Sequence, residues 1–193
     1  MIWPDHSREI PAGTHAFLSP SNYSWLNYGP DKLKTVYKNR QAIILGTLLH
    51  EQAKRDIELG LRRPKTGTTF NMYVNDGIGF RMTPEQGLYF SRDCFGTADT
   101  ICFDERKGFL RIHDLKTGVN PASLKQLEIY AALFCLEHGP RLGFTPNDIE
   151  MELRIYQNDD KLIGHPTAND IIPIIDYIVM ACDILEEMRR TEM

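Results

Sequence analysis

Residues 88–118 read LYFSRDCFGTADTICFDERKGFLRIHDLKTG. Apolar and polar residues alternate along three stretches, Leu88 to Phe95, Ala98 to Phe103 and Phe109 to Leu115. Alternation of this kind marks strands that bury one face. Gly96 falls between the first two stretches, and the polar run Asp104-Glu105-Arg106-Lys107-Gly108 joins the last two, which predicts an antiparallel meander. Strand parity puts Leu110, Ile112, Asp114 and Lys116 on one face of the third strand and Arg111 and His113 on the other. A carboxylate and an ammonium that emerge together from an apolar face are costly to bury unless a counter-charge or a metal satisfies them. Asp99 shares a face with Ile101 and Phe103 in the preceding strand, so two carboxylates converge at one sheet edge.

Upstream, Ser19-Pro20-Ser21 can cap a short helix through Trp25 and Leu26 before Gly29-Pro30 breaks the chain. A helix with Lys32, Lys34, Lys38 and Arg40 on its basic side follows Asp31, and it either joins or bends before a stronger helix of residues 41–60 that ends at Gly60. Residues 61–85 are interrupted by Pro64, Gly67, Gly77, Gly79 and Pro84 and read as loops with a short strand or helical turn. Downstream lie a helix from Ser123 to about His138, a strand from Glu150 to Tyr156, a turn at Asn158-Asp159-Asp160 and a long helix over residues 169–190. The order predicts an α/β (α+β mixed) fold, a central mixed sheet flanked by helices. The expected organisation is one domain over residues 1–193, with an N-terminal segment 1–30, a basic helical region 31–65, a catalytic sheet with an intervening helix over 87–156, and the C-terminal helix 169–190.

The 193-residue chain, 42% apolar, can fill one sizeable core. Its four cysteines, Cys94, Cys102, Cys135 and Cys182, contain no C-x-x-C pair, which argues for reduced thiols rather than a zinc knuckle or a disulfide framework. The start MIWPDHSREIPAG lacks the order of a signal peptide and no run approaches about eighteen apolar residues, so no membrane partner and a cytoplasmic location are expected. The net charge of −4 is unevenly spread: residues 31–65 hold nine Lys or Arg against four acids, and residues 170–193 hold six acids against two Arg. Lys54, Arg55, Arg62 and Arg63 in the first segment are candidates for contact with nucleic-acid phosphates. Tyr and Trp residues among the first thirty, Trp3 included, are candidates for binding a partner, stacking on bases or folding back on the domain.

Asp99 and Asp114, with the Leu115 carbonyl, offer hard oxygen ligands suited to Mg²⁺ or Mn²⁺. Such a cation polarises a phosphodiester and offsets transition-state charge, and Lys116 can steady negative charge as it develops. On the helix of residues 41–60, Gly46, His50, Ala53 and Ile57 form one stripe. Small Gly46 and Ala53 allow close approach, which turns His50 inward as a further metal ligand or as a hydrogen-bonded core histidine; Glu51 is the substitute ligand. Gln126 either closes a capping box with Ser123 or, one turn from Tyr130 and beside Lys125, reaches substrate.

The segments Gly96-Thr97-Ala98-Asp99 and Asp114-Leu115-Lys116-Thr117-Gly118, the pair Gln126 and Tyr130, the run Gly46-Thr47-Leu48-Leu49-His50 and the opening Leu18-Ser19-Pro20-Ser21 together resemble the motifs of the PD-(D/E)XK nuclease superfamily, in its RecB-like branch. That branch includes phage exonucleases and CRISPR-adaptation nucleases. The resemblance covers about residues 18–135 and implies a restriction-endonuclease-like core. It also implies Asp99, Asp114, the Leu115 carbonyl and His50 as metal ligands, Lys116 as catalytic lysine, and Gln126 with Tyr130 as substrate-positioning residues. The cysteines depart from the branch's iron-sulfur spacing, so no cluster is expected, and no G-x-x-x-x-G-K-[ST] is present, so unwinding would fall to a helicase partner.

The leading expectation is a Mg²⁺- or Mn²⁺-dependent DNA exonuclease of phage or mobile-element type, used in recombination, repair or genome processing in a host cytoplasm. Recombination, helicase or single-strand-binding proteins are the expected partners. An endonuclease for single strands or branched DNA is the alternative among enzymes. A catalytically weak nucleic-acid-binding adaptor is the alternative among non-enzymes, although an adaptor has no chemical need for two acids and a lysine at one strand edge. Polarity, strand preference and oligomeric state are not legible.

Overall fold

The computed structural model describes Arg8 and residues 15–191. Trp3 and the start MIWPDHSREIPAG lie, apart from Arg8, outside the described residues. The chain divides into two compact units, one ending at Leu45 and the other starting at Gly46, and the division falls inside helix α1 (Pro30–Glu58).

In the first unit a short 3-10 helix spans Pro20–Asn27. Its N-cap Ser19 makes no capping hydrogen bond; the Ser19 hydroxyl meets that of Ser21 at 2.8 Å instead. Within this unit the Trp25 indole N–H donates to the Ser19 carbonyl at 3.0 Å and Phe17 meets Tyr37 edge-on, while Tyr23 is exposed. Lys32 and Arg40 lie over the Tyr28 and Phe17 rings. Of the two alternatives at residue 40, joined or bent, the structure has the joined one: the basic helix runs into the helix of residues 41–60 as α1, closed by Gly60 at φ +66°, a left-handed conformation that glycine adopts without a Cβ clash.

The second unit is mixed α/β: a five-stranded mixed sheet flanked by helices. The strands are β1 (Thr83–Ser91), β2 (Cys94–Asp104), β3 (Phe109–Leu115), β4 (Glu150–Gln157) and β5 (Asp160–Gly164), paired in that order. All neighbours are antiparallel except β3 and β4, which run parallel and are connected through α3 (Lys125–Leu142). A parallel pair needs a crossover of this kind. Helix α4 (Ala168–Thr191) closes the chain. Among the described residues no helix is long and apolar enough to cross a membrane.

Both sides of the sheet are covered. Leu110 and Ile112 of β3, with Leu153 and Ile155 of β4, pack against Leu127, Ala131 and Phe134 of α3 and against Ile171 and Ile178 of α4. The opposite face carries Leu115 and Tyr156, which join Ala53 and Ile57 of α1 and Tyr73 and Val74 of α2 (Thr69–Gly79). Helix α2, about three turns long, occupies the region expected to hold loops with no more than a short strand or helical turn. Its glycines lower helix propensity, yet a Cβ on Gly77 would lie 2.8 Å from Ile57 Cδ1, so the glycine is what lets α2 approach α1. The β1–β2 turn falls at Arg92-Asp93, earlier than expected, and Gly96 is a strand residue rather than a turn residue.

On the α2 side of β3, His113 is 0% exposed; its Nδ1 lies 3.3 Å from the Tyr156 hydroxyl and its Nε2 has no hydrogen-bond partner. Burial, reinforced by Arg154, holds its pKa down at about 3. A histidine depressed in the folded state contributes stability above its unfolded pKa of about 6.5, and that contribution is lost as pH falls toward the folded value. Between pH 7.5 and 5 the loss is about 2 kcal/mol. Asp99, raised to about 6, acts with the opposite sign over the interval from the ordinary carboxylate value up to about 6. His113→Gln in chelator is expected to flatten the acid side of the stability curve measured by urea unfolding; an unchanged slope would show that the imidazole is not held neutral.

Candidate functional site

Strand register brings three carboxylates to one rung of the sheet. Pro84 and Gln86 of β1 pair with Thr100 and Ala98 of β2, which sets Glu85 against Asp99. Thr100 pairs with His113 of β3, so Asp99 and Asp114 follow at the next position. Asp114 lies at the end of the apolar face formed by Leu110 and Ile112 and is 3% exposed. Lys116, just past the strand, places Nζ 3.1 Å from Asp114 Oδ1 and 3.0 Å from Oδ2. Its hydrogen bond is directed at Oδ1; buried Oδ2 has the lysine's charge nearby but accepts no hydrogen bond.

Asp99 accepts the Leu115 amide at 2.8 Å through Oδ2, and the same oxygen lies 3.4 Å from His50 Nδ1. Burial first, and then repulsion from Asp114, push Asp99 up to about 6 against the opposing pull of His50 and the Leu115 amide. The negative charge here exceeds what the local donors offset, a condition that favours a cation. His50, Glu85 and Asp99 can each bring one ligand atom within 4.8 Å of the others. These are hard oxygen donors with one imidazole, a set that fits Mg²⁺ or Mn²⁺.

The expected ligand set was therefore only partly assembled. His50 and Asp99 meet; Asp114 stands beside them, held by Lys116, and is not part of the tight trio. Glu51 is exposed and also lies outside it. Glu85 lies outside the set expected from sequence, because it precedes the alternating stretch and falls in the region that reads as loops with a short strand or helical turn. Its backbone is left-handed at φ +50°, which costs energy for a residue with a side chain. Pro84 beside it is tolerated because β1 is an edge strand.

Helix α3 supplies the other wall. Leu124, not Ser123, is its N-cap, and the capping box does not form: the Lys125 amide reaches the Ser123 hydroxyl at 3.2 Å, while Gln126 Oε1 accepts from Lys116 Nζ at 2.9 Å. Gln126 Nε2 faces the Tyr130 hydroxyl at 3.4 Å. A chain of contacts thus runs from Tyr130 through Gln126 and Lys116 to Asp114. Gly96 gives the tyrosine its room, since a Cβ there would sit 2.8 Å from Tyr130 Cε1. Gly46 has the same function for α1, where a Cβ would lie 2.8 Å from Thr117 Oγ1.

Of the basic candidates, Lys54, Arg55 and Arg62 are exposed. Lys125 pairs with Glu128, and Arg63 is committed to Asp56, a carboxylate 1% exposed that it contacts through Nε at 2.6 Å. Arg63 therefore has an internal task beside any contact with phosphate.

No protein-family model, curated protein or solved structure matches this chain. The chemistry of the site rests on its own geometry.

Proposed function

We propose that this protein is a Mg²⁺- or Mn²⁺-dependent deoxyribonuclease of the PD-(D/E)XK superfamily, RecB-like branch, and acts as a DNA exonuclease in phage or mobile-element recombination, repair or genome processing. The observation that carries the reading is the Asp114–Lys116 pair at the end of β3 with under-neutralised Asp99 and His50 beside it. An adaptor or a purely structural ion pair would not need a further half-buried carboxylate whose pKa is pushed up by burial and by its acidic neighbour. The element order, with β3 and β4 parallel across α3, supports a restriction-endonuclease-like core.

His50, Glu85 and Asp99, with Asp114 and the Leu115 carbonyl, would hold the cation. Once bound, it would polarise the phosphodiester and offset negative charge. Lys116 presents its ammonium at the same place and steadies charge as the P–O bond breaks. Gln126 fixes the lysine from the other side and, with Tyr130, lines the approach. Exposed Lys54, Arg55 and Arg62 offer charge for DNA phosphates.

End-labelled linear DNA compared with circular single-stranded DNA, each with Mg²⁺ or Mn²⁺, tests the reading. Cation-dependent degradation of the linear substrate alone is expected. Loss of the circle would replace the exonuclease by an endonuclease, and no hydrolysis of either would remove the enzyme.

A further inference from the structure

A cavity of about 250 Å³ opens beside the end of β3, on the side of Leu115 that faces α2. Leu49, Phe70 and Leu115 make its apolar part; Thr117 and Asn158 add polar groups. Lys116 also borders it, but its ammonium is drawn to Asp114 and Gln126, at 3.1 and 2.9 Å, so the cavity meets the aliphatic stem. A volume below the roughly 300–1,000 Å³ typical of sites for drug-sized ligands suits a single ring system. Without a committed cation on its walls, the cavity is suited to an uncharged planar group and not to a phosphate.

The walls are fixed in advance. Phe70 lies under the Arg63 guanidinium, 5.4 Å from ring centroid to charge centre, and buried Asp56 anchors that arginine. Asn158 and Asp159 both have positive φ, as a type I′ hairpin turn requires. Asp159 Oδ1 accepts from the Thr69 amide at 2.8 Å, tying the turn to the start of α2. A site that needs no rearrangement loses little entropy when it takes a ligand. Leu115 and Lys116 line this cavity and also contact the carboxylate rung, the Leu115 amide at Asp99 and the Lys116 ammonium at Asp114, so a group held here is next to the group held there.

We propose that the cavity receives one unstacked nucleobase of the DNA strand being cut, the one adjoining the scissile phosphate, with Phe70 as its stacking surface. This assignment rests on the proposed nuclease activity. It makes a single strand or a frayed end the preferred substrate, because a base that is paired and stacked inside an intact duplex is not free to enter the cavity.

Abasic scanning tests it with the unmodified protein. Single abasic sites are moved along an end-labelled oligonucleotide, in single-stranded and duplex forms, and cleavage with Mn²⁺ is mapped at nucleotide resolution. Cleavage is expected to fall about tenfold at one fixed offset from the abasic site, in line with the stacking contribution of one base. Phe70→Ala should slow cleavage of the intact strand by a similar factor and abolish the offset effect. Phe70→Leu, which keeps apolar volume, controls for packing and should lose the offset effect without losing the fold. Cleavage by wild type with no offset dependence, or an offset effect that persists in both variants, would overturn the base assignment and leave the nuclease intact. If wild type cuts no DNA with either cation, the nuclease reading falls and the base assignment falls with it.

Discussion

Replacing Lys116 with alanine is expected to slow DNA cleavage by about 10²–10³, the usual effect of removing one preorganised donor at a reacting centre, while divalent-cation affinity holds or rises. The split follows from where the ammonium sits. Its charge lies 3.0–3.1 Å from the two Asp114 oxygens, so it competes with a cation for them in the ground state and assists the phosphodiester only as charge develops. Removing it frees the carboxylate and takes a positive charge away from the site. Asp114 would then be buried without its partner, so some stability is lost, and the comparison requires thermal unfolding of both proteins. A variant that cuts at the wild-type rate would show that Lys116 has no catalytic task; equal losses in cation affinity and turnover would assign it a structural one.

Asp114→Asn is expected to have the opposite effect on cation affinity, weakening Mg²⁺ or Mn²⁺ at least tenfold, with turnover falling further. The amide keeps the shape and one acceptor for Lys116 but removes the anion that attracts a cation. Asp99 should respond as well. Asp114 is the second-largest cause of its raised pKa, so neutralising Asp114 lets Asp99 ionise at lower pH and recovers part of the stability lost with the ion pair. Calorimetric titration of the folded variant checks the first part, and cleavage at saturating cation checks the second. Unchanged affinity would place the cation elsewhere.

The alternating stretches that became β2 and β3 were legible because each buries one face, and from their parity Asp99, Asp114 and Lys116 were found at one edge. His50 was legible from its stripe with Gly46 and Ala53. What was hidden depended on tertiary contact. Helix α2 carries glycines that argue against a helix until Ile57 is seen to need Gly77. Strand β5 is five residues long, begins Asp160-Lys161, ends on Gly164 and is mostly exposed, so it has little pattern to read. Glu85 follows a proline and takes a left-handed backbone, and only the register of β1 on β2 brings it to Asp99. Gln126 fitted a capping box by spacing, yet the Lys116 ammonium is the stronger partner for its carbonyl than a backbone amide. Gly96 looked like a turn because it interrupts an apolar run, and its actual role is to leave room for Tyr130.

The most direct measurement is the dependence of DNA cleavage on Mn²⁺ concentration, set beside calorimetric Mn²⁺ binding by the same folded samples of wild type and Asp99→Asn. Saturable binding and cleavage that follow one concentration curve in the wild type, both lost in the variant, are the expected result. Cleavage that persists in chelator, or that survives Asp99→Asn undiminished, would contradict a cation held at the carboxylate rung.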